Sequence, residues 1–145
     1  MGVVFFSGRV LLEWDPKAVE FIVQAPVTVT WTVGGEKKTE FTILPSFTTD
    51  LGSGLVQVAR HLRADLAHDW LYEYHEDLDK EEADLLWLDA MRGDDTSWWR
   101  RRVRYRYVTL SPTARRRWEE TPKELTDEKI IEYHRAEGGR PRQLT

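Results

Sequence analysis

The chain contains no cysteine. Disulfides cannot hold it together, and thiolate metal sites are excluded. Long hydrophobic runs are missing too. No apolar stretch approaches the ~20 residues that a bilayer-spanning helix needs. An excess of one charge sign is also absent. The net charge is −4 over 145 residues, so the chain as a whole has no drive toward nucleic acid or an anionic membrane. The first residues are apolar but follow no basic segment, and charges return at Arg9 and Glu13. No signal peptide is expected. There is no internal repeat and no low-complexity segment.

What is present belongs to a folded protein. Apolar residues make up 41%, which excludes a fully disordered chain. Seven tryptophans supply large aromatic anchors. The length suffices for one core. Local charge departs from the total: "RRRVRYR" (100–106) and "RRR" (115–117) are basic, whereas 73–84 is acidic.

The first third carries strand signals. "RVLLEW" is a short β-rich run, and "AVEFIVQAPVTVTWTV" (18–33) is rich in β-branched and aromatic residues. Pro26 predicts a break or an edge position. Gly34-Gly35 followed by alternating Thr39, Phe41 and Ile43 predicts a β-hairpin. After Pro45 the composition changes. "TTDLGSGLV" (48–56) reads as a loop, and then a helical period begins. Leu62, Leu66 and Trp70 recur at i, i+4 and i+8 within a helix over 63–76. Asp79 can cap a second helix, with Glu82 completing a capping box, and that helix ends near Gly93. A third should start near Thr96 or Ser97, with Trp98, Trp99, Tyr105 and Tyr107 as packing residues and the arginines as a solvated face. Ser111-Pro112 opens a fourth, and Thr126 or Asp127 a last one. The expectation is an α+β domain over 1–138. A small antiparallel sheet or hairpin (1–46) precedes a helical bundle (54–136), and 139–145 form a loose tail.

The chemistry centres on "DLAHDWLYEYHEDLDKEEAD" (65–84). His68 and Tyr72 share a helix face at i, i+4, while Asp69 is rotated by about 100° onto the flank. The short connection forces the next helix to run back antiparallel. Asp84, one turn into it, can therefore approach Tyr72 or His68. A carboxylate beside a neutral imidazole fixes its tautomer and raises its basicity, so His68 can deprotonate water or a hydroxyl. Asp69 points elsewhere, where it can hold a hard cation such as calcium together with the 48–56 loop. That loop offers Asp50 and Ser53 oxygens and the Gly52 and Gly54 backbone. The alternative is that the histidine and the aspartates form only a satisfied polar seam between packed helices. Contact of His68 Nδ1 with Asp84, and an open cleft over Nε2, would favour an enzyme; a sealed seam would favour a scaffold. His61 and His75 read as surface or boundary residues.

"FTTDLGS" (47–53), "AHDWLY" (67–72), "EEAD" (81–84) and "LDAM" (88–91), at these spacings, resemble a phage and prophage family catalogued as domain of unknown function 1353. The resemblance covers about residues 40–108. Leu51-Gly52 stand where the family has Gly-Ala, and no proline follows Ser53. The family implies a phage origin and a small α+β domain, and it fixes no activity. A second, shorter resemblance is to viral-type phospholipases A2: Gly52 and Gly54 in the loop, His68-Asp69 and Tyr72 on one helix, Ala83-Asp84 on the next, and Trp87 in place of a phenylalanine. It implies that His68 activates water, Asp69 holds calcium, and Asp84 orients His68. The functional expectation is a virion tail, baseplate or assembly component. The alternatives are a histidine–aspartate hydrolase acting on lipid or cell wall, and an accessory protein that inhibits a host pathway. Partners would be other phage structural or host proteins, with no strong nucleic-acid signal and no transmembrane segment. Lack of cysteine fits a virion or the host cytoplasm.

Overall fold

The computed structural model describes residues 2–50, 62–93 and 97–120. Alternation of apolar and polar residues builds the first half. In β4 (Val27–Val33), Val27, Val29 and Trp31 point inward and are buried, while the threonines between them are half-buried. β4 pairs antiparallel with β5 (Glu36–Ile43), whose Phe41 and Ile43 join the same face. The turn between them is Gly34-Gly35, with φ of 61° and 82°. Two consecutive positive φ values define the tight hairpin turn, which side chains with a Cβ adopt poorly. β1 (Gly2–Ser7) closes the other edge of β4. The opening apolar run, which carries no turn signal of its own, is thus a strand.

A second three-stranded antiparallel sheet has the order β2 (Leu12–Asp15), β3 (Glu20–Val23), β6 (Thr48–Thr49). Pro26 marks the break between β3 and β4, as its missing N–H requires.

Four helices follow among the described residues. α1 (Leu62–Tyr74) is buried along nearly its whole length, from Ala64 to Tyr72. α2 (Lys80–Gly93) starts at a reciprocal cap: the Glu82 amide donates to Asp79 Oδ1 at 2.8 Å, and the Asp79 amide donates to Glu82 Oε1 at 3.1 Å. α3 (Trp98–Leu110) and α4 (Pro112–Glu120) are joined at Ser111, whose hydroxyl accepts from the Ala114 amide at 3.3 Å. The last helix, expected to start at Thr126 or Asp127, and the 139–145 tail lie outside the described residues, as does His61. Sheet and helices share one core, in which Val27, Val29, Phe41 and Ile43 meet Leu66, Trp70, Leu71 and Leu86. The fold class is α+β, a strand-rich half followed by helices.

One expectation fails here. Trp98, Trp99 and Tyr107 do not pack; they are 64%, 57% and 63% exposed. α3 has no buried residue, and its half-buried side is Arg101, Arg104, Tyr105, Val108 and Thr109. Arg104 binds inward to Asp65, so the helix is rotated to bring arginine stems, rather than the tryptophans, against α2.

Candidate active site

Helical phase and the α1–α2 connection assemble the site. Asp65 meets Trp87, and Tyr72 meets Asp84. Rising numbers on α1 against falling numbers on α2 establish the antiparallel crossing. At its centre lies Asp84, fully buried. Three donors converge on this carboxylate: His68 Nε2 to Oδ1 at 2.8 Å, the Tyr72 hydroxyl to Oδ1 at 2.9 Å, and Lys80 Nζ to Oδ2 at 2.7 Å. Burial pushes the Asp84 carboxyl up, but the hydrogen bonds and charges of His68 and Lys80 outweigh it and hold the group below the usual carboxylate range. A carboxylate only accepts, so Nε2 of His68 carries the proton and Nδ1 is the basic nitrogen. The orientation is the reverse of the sequence expectation, which placed Nδ1 on Asp84.

Two aromatic rings pack against the imidazole. Trp87 stacks on it at 4.4 Å with a 20° interplanar angle, and Tyr72 lies at 4.4 Å, tilted by 48°. The Tyr72 phenol is held well above its ordinary range by burial, then by the charge of Asp84 and its hydrogen bond to that carboxylate. It therefore stays a neutral donor.

His68 is not sealed. Together with Asp65, Asp69, Tyr72 and Trp87 it lines a solvent-open cleft of about 270 Å³, whose other wall is α3 and α4. From that wall come Arg104 and Arg117. Arg104 donates to both oxygens of Asp65 at 3.1 and 3.3 Å, and its guanidinium lies 5.1 Å from the Trp87 ring centre. Arg117 lies 5.7 Å from the Tyr72 ring centre. Asp65 also accepts from Trp87 Nε1 at 3.0 Å.

Asp69 leaves the His68 hub and accepts a short hydrogen bond from Thr49 of β6. Burial raises its carboxyl to about 6, against the opposing Thr49 hydrogen bond and Arg117 charge; the charge of Asp50 adds to the rise. The two carboxylates are thus close enough to feel each other, and a cation would relieve the unfavourable burial of Asp69. Gly52 and Gly54, the other expected ligands, lie outside the described residues, as does Ser53. Among the described residues no group of three or more His, Asp or Glu side chains converges as metal ligands.

Lys80 escaped the sequence reading. Its signal was the i, i+4 spacing to Asp84, but a lysine in the first helical turn ordinarily reads as solvated. Here it is 2% exposed and also donates to the Val108 carbonyl of α3 at 3.2 Å. Asp89 escaped as well: it accepts from Trp31 Nε1 at 2.9 Å, from the Gly2 amide at 3.1 Å and from Arg92 at 2.7 Å. A Cβ on Gly2 would overlap both Asp89 and Trp31, so this clasp joins β1, β4 and α2 through a glycine.

Comparison with curated proteins and with solved structures gives no match. A family model described as protein of unknown function (DUF1353) matches residues 18–108. That span is more than half of the chain and takes in His68, Tyr72, Lys80 and Asp84 together. The chain therefore belongs to the DUF1353 family of proteins of unknown function.

Proposed function

We propose that this protein is a hydrolase in which His68 acts as a general base. The observation that carries the reading is an imidazole anchored through Nε2 to a buried carboxylate while its ring lines an open cleft. Asp84 and Tyr72 are positioning residues. The carboxylate holds the ring and its tautomer and stabilises the imidazolium that forms when Nδ1 accepts a proton from water. The water's oxygen then attacks the carbonyl carbon of an ester or amide linkage of a lipid or cell-wall substrate presented in the cleft. As the bond to the leaving alkoxide or amine breaks, the imidazolium returns its proton to that group. The similarity to viral-type phospholipases A2 assigns the same roles to His68 and Asp84. It also implies calcium at Asp69 beside the Gly52 and Gly54 loop, to which Asp50 of the same loop would add a carboxylate oxygen; bound there, the cation would polarise the substrate carbonyl.

The test compares the parent chain with His68→Gln and Tyr72→Phe on phospholipid and peptidoglycan substrates, with calcium added and chelated. The expected result is hydrolysis by the parent and loss of at least a hundredfold in His68→Gln. Tyr72→Phe should keep the fold and lose less, since Asp84 retains two donors. Absence of hydrolysis from the parent on both substrates under every metal condition overturns the proposal.

A second reading is favoured by one observation. Lys80 neutralises Asp84 inside the protein, as a purely structural hub would require. On that reading the chain is a phage virion or assembly component and the cleft contacts another structural protein. Intact folding and assembly defects in phage carrying His68→Gln, without any hydrolytic activity, would select it.

A further inference from the structure

We propose that the outer face of α3 binds an anionic phospholipid bilayer surface. The helix is amphipathic in an inverted sense. Trp99, Val103, Tyr107 and Leu110 recur at i, i+4, i+8 and i+11 and form one stripe, with Trp98 beside it. These residues are 57–77% exposed. Isolated apolar side chains on a surface need no explanation, but a continuous stripe of aromatic and aliphatic groups along thirteen residues does.

Charge identifies the occupant. Residues 97–118 contain eight arginines and no acidic residue, in a chain that is acidic overall. Arg101 and Arg104 lie on the inner side and Arg115 pairs with Glu81. Arg100, Arg102, Arg106 and Arg116 are exposed. Arg100 and Arg102 place their guanidiniums 5.6 and 5.1 Å from the Trp99 and Trp98 ring centres. Cation and ring are thus held side by side. That combination suits the boundary between headgroup and acyl chain, where indole and phenol rings settle, arginines reach phosphate, and valine and leucine enter the apolar layer. A nucleic acid would use the arginines and stack on the rings, but it has no use for Val103 and Leu110. The cleft that holds His68 opens between α1, α2 and this helix, and Tyr107 belongs to both the cleft and the stripe. The bilayer contact is nevertheless independent of hydrolysis, so each can fail without the other.

The experiment is sedimentation of the full chain with vesicles of phosphatidylglycerol and phosphatidylcholine, and with vesicles of phosphatidylcholine alone, at low and high salt. The expected result is partition onto the anionic vesicles, weakened by salt. The double variant Arg102→Gln/Arg106→Gln should lose roughly thirty-fold, as removal of two surface cations implies. Trp99→Ser/Leu110→Ser should lose binding with unchanged thermal stability, because both side chains are exposed. No partition at low salt overturns the proposal, as does equal partition onto neutral vesicles, or binding of duplex DNA without vesicles. So does a fall in melting temperature or loss of a dimer in Trp99→Ser/Leu110→Ser, because the stripe would then be covered by another segment or a second copy of the chain.

Discussion

At the residue scale, Asp84 decides what the site is. An aspartate facing only a histidine and a tyrosine would tolerate an amide at a cost on the order of 1 kcal/mol. The buried Lys80 changes that expectation. Asp84→Asn leaves a 2%-exposed ammonium without its counter-ion, and Lys80→Met leaves the carboxylate without its cation. Each single change should cost about 3–5 kcal/mol, and the double variant clearly less than their sum. Chemical denaturation of the four proteins measures this; a cost under about 1 kcal/mol for Lys80→Met would mark the pair as solvent-screened. Asp69 gives a prediction of opposite sign. Its carboxyl titrates near 3.8 when unfolded and near 6 when folded. Between those values the folded form holds the extra proton, so the stability contributed by Asp69 falls as pH rises from about 4 to about 6 and stays low above. Asp69→Asn should therefore stabilise the calcium-free protein at pH 7 by roughly 1–3 kcal/mol and have little effect at pH 4. Thermal melts at the two pH values test it; an equal effect at both would show that Asp69 does not titrate in this window.

At the scale of elements, the start of α2 matters most, because Lys80 and Asp84 occupy its first turns. The Asp79–Glu82 capping box fixes where the helix begins and so the phase at which both side chains enter the protein. Asp79→Ala should cost about 1 kcal/mol through the lost cap. The approach to this helix is strained: His75, Glu76 and Asp77 have φ of 60°, 49° and 60°. It is held by the stack of His75 on Trp118 at 3.6 Å and by the Trp70–Glu76 hydrogen bond at 2.9 Å. Urea denaturation of Asp79→Ala measures the capping contribution directly. A change above about 3 kcal/mol would mean that losing the cap also displaces Lys80 from the core.

At the scale of the whole molecule, one cluster joins sheet and helices, and Trp70 sits within it. Its ring meets Phe47, which precedes β6, at 5.0 Å and Tyr74 at 4.4 Å. Trp70→Ala should cost roughly 3–5 kcal/mol through lost contacts and a cavity. Because the core is shared, loss of strand and helix signals should remain a single coincident transition, shifted to lower temperature. Helices that melt while the β4–β5 hairpin persists would contradict a shared core.

The local features were legible in the sequence because nearest neighbours determine them. Gly34-Gly35 specified the hairpin turn, Asp79 and Glu82 the start of α2, and Ser111-Pro112 the start of α4. Helical spacing put His68 and Tyr72 on one face, and the short connection carried Asp84 to them. What the tertiary structure decided depends on groups far apart in the chain. The packing of α2 against α1 brought Nε2 of His68, rather than Nδ1, to Asp84. Lys80 is buried because the Val108 carbonyl lies 28 residues away in sequence and beside it in space. Arg104 bridges 39 residues to Asp65 and thereby rotates α3. The tryptophans of α3 read as core by composition, yet they face outward because arginine stems fill the inner side. Periodicity shows that a helix has two faces; only the partners it packs against decide which face is buried.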